Sequence, residues 1–334
     1  MKFKKVILLL IAILIVVGIG VAIVLGGKKN EEKSDDKKIK VVASNFASYD
    51  FLRAIIGDNK KIELSFLLGP GKEVHSYDPT AKDLIKIQDA DLFVYIGGEM
   101  EQWSDKVLAS LDSNNKEIVC IADFVDTIEE KEVDGAEEEE EHEHDDEEGA
   151  EHEHEHEEGA FDEHIWTSPK NAIKMIKKLE SSMEKIDSEN SNKYKENSDK
   201  YIAKINDVDS KIKDIVDNKV RDRLIFADKM PMQYFIDYYD LKVSAAFNGC
   251  SSETDPSAKT IAYLQNKVKE EKIPVVLYIE LNPGTVAKTI ADETGAKAMQ
   301  IQTLHNVTLD DFNNGETWVS LMERNVDVLK KALQ

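Results

Sequence analysis

The chain has 334 residues, 41% of them hydrophobic, and a formal net charge of -23. That length accommodates two globular bodies with real cores. The acidity is local: 21 acidic residues and one basic residue, Lys131, lie between Glu129 and Glu163, which leaves the remainder close to neutral. No basic stripe is available to meet phosphates, which excludes nucleic acid as a partner.

At the N-terminus, Lys2, Lys4 and Lys5 precede an apolar run from Val6 to Leu25, and Lys28 and Lys29 follow it. Such a run is long enough for ~30 Å of hydrocarbon. It has no A-x-A cleavage pattern, and no Cys follows it to accept a lipid. The expectation is an uncleaved membrane anchor with the body extracytoplasmic, followed by a charged stalk.

From Lys38 onward, strand-like runs alternate with amphipathic helical stretches. Ile39–Ala43, Ile62–Leu68, Leu92–Ile96 and Ile118–Ile121 read as strands, and Ala47–Ile56 and Thr80–Ile87 as helices. Thr80 caps the second helix with Asp83 at N3, a variant of the capping box. Ser168-Pro169 suits a helix start, Ser as the cap and Pro in the first turn. The helical stretch then runs to about Val220, with an interruption at 187–192. Ile202, Ile205, Val208, Ile212 and Ile215 give it one apolar stripe.

Strands resume at Arg223–Ala227, Val243–Phe247, Pro274–Ile279 and Ala298–Ile301. Helices fall near Pro231–Tyr239, Ser257–Lys269, Gly284–Thr294 and Glu316–Leu333. The fold class is α/β: two lobes, each a mainly parallel sheet flanked by helices, joined by a long helix. The expected divisions are 1–37 (membrane anchor or signal, and stalk), 38–188 (first lobe, with an acidic His-rich disordered loop at 129–163), 189–221 (linking helix) and 222–334 (second lobe). Ligands bind such sheets beyond the carboxyl ends of the strands, which puts the default site in the cleft between lobes. Cys120 reads as a small hydrophobe ending a strand, and no disulfide to Cys250 is expected.

Five of the eight histidines (His142, His144, His152, His154 and His156) lie in the acidic run. This tract reads as an auxiliary metal-gathering loop, in which imidazoles bind weakly and carboxylates raise the local cation concentration. His152-Glu153-His154-Glu155-His156 matches H-E-x-x-H literally. The repeated Glu-His steps explain that match, and repulsion between close carboxylates argues against the helix a metallopeptidase needs, so no enzyme is expected. The other three histidines, His75, His164 and His305, all fall on loops at strand or helix ends and read as a metal tripod. Three neutral imidazoles and one oxygen suit Zn²⁺, whereas Mn²⁺ prefers more oxygen.

The segment Gly69-Pro70-Gly71-Lys72-Glu73-Val74-His75-Ser76-Tyr77-Asp78-Pro79, with Asp89 to Tyr95, resembles the first-lobe motif of the cluster A-I solute-binding proteins of zinc and manganese ABC transporters. Asp162-Glu163-His164-Ile165-Trp166-Thr167-Ser168-Pro169 is similar to that family's D-P-H-I-W-L-S-P, and an acidic His-rich loop before it is a habit of the zinc-uptake branch. The resemblance covers residues 39–334 and implies two α/β lobes on a rigid linking helix with metal between them. It also implies delivery to an ABC permease, with His75 and His164 as ligands.

The second lobe departs from the family pattern. Upstream of the aromatic pair Tyr234-Phe235, where the family has His or Glu, stand Asp228, Lys229 and Met230. Asp228 is the candidate ligand there, and Cys250 and Glu253 are further candidates. His305 stands near the position of the family's last carboxylate. The expected function is capture of extracytoplasmic Zn²⁺ for import, with affinity lost as pH falls below about 6. A manganese-binding importer component and a metal-dependent surface adhesin or sensor are the alternatives.

Overall fold

The computed structural model describes residues 38–136, 161–249, 251 and 255–334. The expected anchor, the five histidines of the acidic run, Cys250 and Glu253 lie outside the described residues. Among those described, no helix is long and apolar enough to cross a membrane.

The first lobe is a four-stranded parallel sheet made of β1 (Ile39–Ala43), β2 (Ile62–Phe66), β3 (Leu92–Tyr95) and β4 (Glu117–Cys120), ordered β2-β1-β3-β4. Between these strands run α1 (Phe46–Ile56), α2 (Ala81–Asp89) and α3 (Trp103–Ser110). The second lobe repeats the plan with β5 (Arg223–Lys229), β6 (Lys242–Phe247), β7 (Val275–Ile279) and β8 (Lys297–Ile301), ordered β6-β5-β7-β8. Every strand pairing in both sheets is parallel.

Between the lobes come α4 (Pro169–Ile186) and the 27-residue α5 (Ser191–Asp217). At 1.5 Å per residue α5 is about 40 Å long. The second lobe adds α6 (Gln233–Tyr238), α7 (Ala258–Glu270), α8 (Thr285–Thr294), α9 (Leu309–Asn313) and α10 (Trp318–Leu333). The stripe on α5 is buried at Ile205, Val208, Ile212 and Ile215 and packs on α1, α4 and α10.

Period-two alternation sorts the strand side chains into layers. Val41, Ala43, Leu92 and Val94 of the first sheet share one apolar core with Leu224, Phe226, Val275 and Leu277 of the second. Val42 and Phe93 enter a separate cluster on the outer face of the first sheet. Ile225 and Val276 do the same on the second. Both faces of each sheet are therefore covered, which is why the strands read as near-continuous apolar runs.

Local signals are met unevenly. Thr80 and Asp83 form the reciprocal capping box. Ser168 has the extended backbone of a cap and Pro169 the first helical position, but the Ser168 side chain makes no capping hydrogen bond. Cys120 ends β4 half-buried, its thiol donating to the Ile96 carbonyl at 3.3 Å. Helices α3 and α9 were not legible as periodic stretches, being eight and five residues long.

The expectation of a disordered run starting at Glu129 does not hold for residues 129–136, which form a strap lying on the second lobe. The Ile128 amide donates to the Tyr234 hydroxyl (3.2 Å), the Lys131 amide to Gln233 Oε1 (3.1 Å) and the Val133 amide to Asn248 Oδ1 (3.1 Å). Asp134 forms a parallel bridge to Ser244 on the edge strand β6, and its carbonyl accepts from the Ala245 amide. The Asp134 carboxylate accepts from Arg223 (3.1 Å), Ser244 Oγ (2.8 Å) and the Tyr263 hydroxyl. Gly135 follows at φ +86°, and a Cβ there would fall 2.3 Å from the Tyr263 ring, so the strap can turn only at a glycine. Acidic composition alone hid this segment, because its contacts are made by side chains more than 80 residues away.

Asp134→Ala is expected to speed hydrogen exchange at the amides of 128–136 and at Ala245 by an order of magnitude or more, with β1 and β3 unchanged. Exchange followed by mass spectrometry checks this.

Candidate metal centre

His75 lies on the loop after β2, His164 in the segment entering α4, and His305 on the loop after β8. All three are at the carboxyl ends of the strands, with His75 and His164 on one side of the cleft and His305 on the other. The structure brings them together: one ligand nitrogen from each lies within 4.8 Å of the other two. Ring centroids are 4.9 Å apart for His75–His305, 5.0 Å for His164–His305 and 6.1 Å for His75–His164.

The Nε2 atoms of all three are buried, and none has a hydrogen-bond partner. Buried polar atoms are ordinarily paired, so three imidazoles brought together with unpartnered Nε2 atoms fit a set of metal ligands. A tetrahedral zinc with Zn–N near 2.0–2.1 Å would hold its nitrogens about 3.4 Å apart, inside the 4.8 Å limit within which these three lie.

Each imidazole is held by its own support. Asp162 Oδ1 accepts from the His164 backbone amide (2.8 Å) and faces its Nδ1 at 3.1 Å, which fixes the proton on Nδ1 and leaves Nε2 free as a ligand. The Tyr234 hydroxyl, from the second lobe, donates to the Asp162 carbonyl at 2.8 Å. Trp166 lies edge-on to His164 and stacks near His305 (16° between planes), and its Nε1 donates across the cleft to the Thr303 carbonyl at 3.0 Å. Trp318 in turn donates to the Trp166 carbonyl at 2.9 Å. The His75 loop is clasped to the loop after His305: Asn306 Nδ2 donates to the carbonyls of Gly69 (3.1 Å) and Lys72 (2.6 Å), and the Gly71 amide to Val307 (2.8 Å).

The electrostatics keep two of the three neutral. Burial, then the charges of His164 and Lys229, bring His75 down to about 3. The same influences, with His75 added, hold His305 well below its ordinary value. Burial opposes charge on His164 too, but Asp162 and Glu163 outweigh it and its pKa is raised. Lys229 is 5% exposed, with its ammonium 4.0 Å from Glu73.

Asp228 sits at the end of β5, outside the three-imidazole set. Its Oδ1 accepts from the Lys229 amide (2.8 Å) and its Oδ2 from the Ile279 amide (3.2 Å). Gly249, beside the undescribed Cys250, packs against His164: a Cβ there would lie 3.5 Å from that ring. Asp162, Trp166 and Lys229 support or border the site without having been singled out as functional. The adjacency of Asp162 and Trp166 to His164 was the available signal for two of them, whereas Lys229 gave none.

The chain matches the family model described as zinc-uptake complex component A, periplasmic, over residues 41–332. It is 32% identical over 303 residues to the zinc-binding lipoprotein AdcA of Streptococcus pneumoniae, covering 90% of this chain and 57% of that protein. This chain thus spans little more than half the length of that relative. Against the high-affinity zinc uptake system protein ZnuA of Bacillus subtilis the identity is 32% over 310 residues, covering 92% of both chains. The crystal structure of the Zn(II)-bound ZnuA-like domain of S. pneumoniae AdcA superposes with a TM-score of 0.71 at 27% identity, covering 89% of this chain and 99% of that one. With the family model spanning both lobes and the helix between them, the chain belongs to the zinc-uptake complex component A family.

Proposed function

We propose that this protein captures Zn²⁺ outside the cytoplasm between its two lobes and delivers it to the permease of an ABC importer. The observation that carries this reading is the convergence of the three orphaned Nε2 atoms of His75, His164 and His305. An all-nitrogen set favours Zn²⁺ over Mn²⁺, which takes carboxylate, carbonyl and water oxygens. Zinc is the cargo here. The chain's part is to hold three imidazoles together in a buried cleft, and no enzymatic step is involved. Support also comes from the zinc-binding relatives and from the zinc-uptake family itself. The apolar run from Val6 to Leu25 tethers the body to the membrane in this reading, and the histidines of the acidic run gather metal for the cleft.

Asp228 stands outside the three-imidazole set with each of its oxygens already accepting from a backbone amide, and Cys250 and Glu253 are the other candidates for the fourth position. Asp228→Ala is therefore expected to weaken zinc less than His75→Ala, His164→Ala or His305→Ala. Competition with a chromophoric chelator ranks the four variants.

Calorimetric titration at neutral pH is expected to give one tight zinc site plus weaker ones, with manganese far weaker at the tight site. Deleting residues 137–160 and bridging the gap with a flexible Gly-Ser linker, so that the docked strap stays in place, should remove the weak sites alone. Loss of the tight site in that deletion would refute the division of labour.

Zinc binds neutral imidazole, so protons compete where a ligand histidine charges. His75 and His305 resist protonation, whereas His164 is raised above its ordinary 6.5. Affinity should therefore begin to fall on the neutral side of 6.5 as pH drops, earlier than the sequence suggested. Asp162→Asn removes the charge that raises His164, and is expected to move this onset to lower pH while weakening zinc about 10- to 100-fold at pH 8. Affinity measured as a function of pH for both proteins checks the sign.

A further inference from the structure

We propose that Glu280 is a positioning residue for metal capture: from the end of β7, its buried carboxylate fixes the turn that presents His305 to His75 and His164. The proposal rests on the reading of these three histidines as the zinc ligands.

Glu280 is 3% exposed, and its oxygens are committed to that one turn. Oε2 accepts from the Thr303 amide at 2.8 Å, and Oε1 accepts from Thr303 Oγ1 at 2.8 Å and from the His305 amide at 3.0 Å. Between the two amides lies Leu304, a non-glycine residue at φ +58° with its side chain buried. Left-handed backbone at a branched residue persists only where its surroundings over-determine it, and it marks functional loops.

The geometry shows what over-determines it here. A left-handed residue between two others turns their N–H groups to the same side, and an acceptor on that side is needed to hold them. Glu280 is that acceptor. On the flanks, Asn325 pairs with both the amide (2.8 Å) and the carbonyl (2.7 Å) of Gln302, and the Thr303 carbonyl accepts from Trp166. With the backbone fixed before His305 by these bonds and after it by those of Asn306 and Val307 to the His75 loop, the remaining freedom is in the imidazole torsions.

Glu280 is not one of the converging ligands, and it does not act on the metal directly. A buried carboxylate is costly unless it is hydrogen-bonded, and the bonds that Glu280 accepts come from this turn. Here the loop carries the one imidazole that the second lobe contributes, so the precision it confers is felt at the metal.

The test is a double-mutant cycle on the full chain between Glu280→Ala and His305→Ala, reading zinc affinity by chelator competition and coordination by the visible spectrum of bound Co²⁺. Glu280→Ala is expected to weaken zinc about 10- to 100-fold and to alter the cobalt spectrum. In the His305→Ala background the same substitution is expected to change affinity by less than twofold. Glu280→Gln keeps the shape and one acceptor, and should fall between parent and Glu280→Ala. It carries the test if the alanine variant does not fold.

Binding within twofold of the parent for both Glu280 variants overturns the proposal. So does a loss of full size in the His305→Ala background, which would mark a general structural role. If His305→Ala itself binds zinc like the parent, the reading of the three histidines has failed instead.

Discussion

Three buried imidazole nitrogens facing one another without partners are the constraint on which the rest of the structure depends. A buried polar atom left unpaired costs about 1–3 kcal/mol, and His75, His164 and His305 each present one. Relaxation is the obvious escape: a rotated ring or a shifted loop would find a partner. The fold blocks it by fastening the backbone beside each histidine to something rigid. Asp162 takes the His164 amide, Glu280 the His305 amide, and Asn306 holds the carbonyls of Gly69 and Lys72 on the approach to His75. A protonated ring would satisfy its nitrogen as well, but burial opposes the charge on His75 and His305. His75 and His305 are thus kept neutral, and Asp162 holds His164 beside them, so that the three present their ring nitrogens together to a divalent cation.

That rigidity comes from how the lobes are joined. The apolar core is continuous from the inner face of one sheet through α4 and α5 to the inner face of the other. Asp50, fully buried in α1, accepts from Tyr201 of α5, from the Trp318 amide at 2.7 Å and from Arg53, which also donates to the Glu316 carbonyl at 2.6 Å. One carboxylate therefore ties the first lobe, the linking helix and the start of the last helix together. Two tryptophans extend the tie to the site, Trp318 gripping Trp166 and Trp166 gripping Thr303 beside His305.

What could be read from the sequence divides along the range of the interactions. Strands were legible because each is an apolar run covered on both faces, and α5 because Ile205, Val208, Ile212 and Ile215 repeat at helical spacing. The three site histidines were legible for a chemical reason, since they are the only ones outside the acidic run and each stands on a loop at the same end of a sheet. The chain's own numbering hid the supports. Glu280 looks like an ordinary charge closing a strand, and its function lies 23 residues away at Thr303. The strap at 129–136 was concealed by composition: its acidic residues read as solvated, yet Asp134 is held by Arg223, Ser244 and Tyr263 from three elements of the other lobe. Asp228 invited a ligand role by position, and only the structure reveals the two amides to which its oxygens are bound.

The same joinery limits how a cation can enter or leave. Lobes within a chain are expected to move against one another unless the interface is large and apolar, and here it is both, reinforced by the strap. Swinging the lobes apart would expose the shared core and break the ties at Asp50, Trp166 and Asp134 together. By contrast, the Gly69–Lys72 segment is joined to the second lobe by a few bonds to Asn306 and Val307, and His75 is the least buried of the three histidines. Releasing those few bonds frees one imidazole of three and leaves both cores intact. The long helix α5, packed on α1, α4 and α10, holds the two lobes together beside the site.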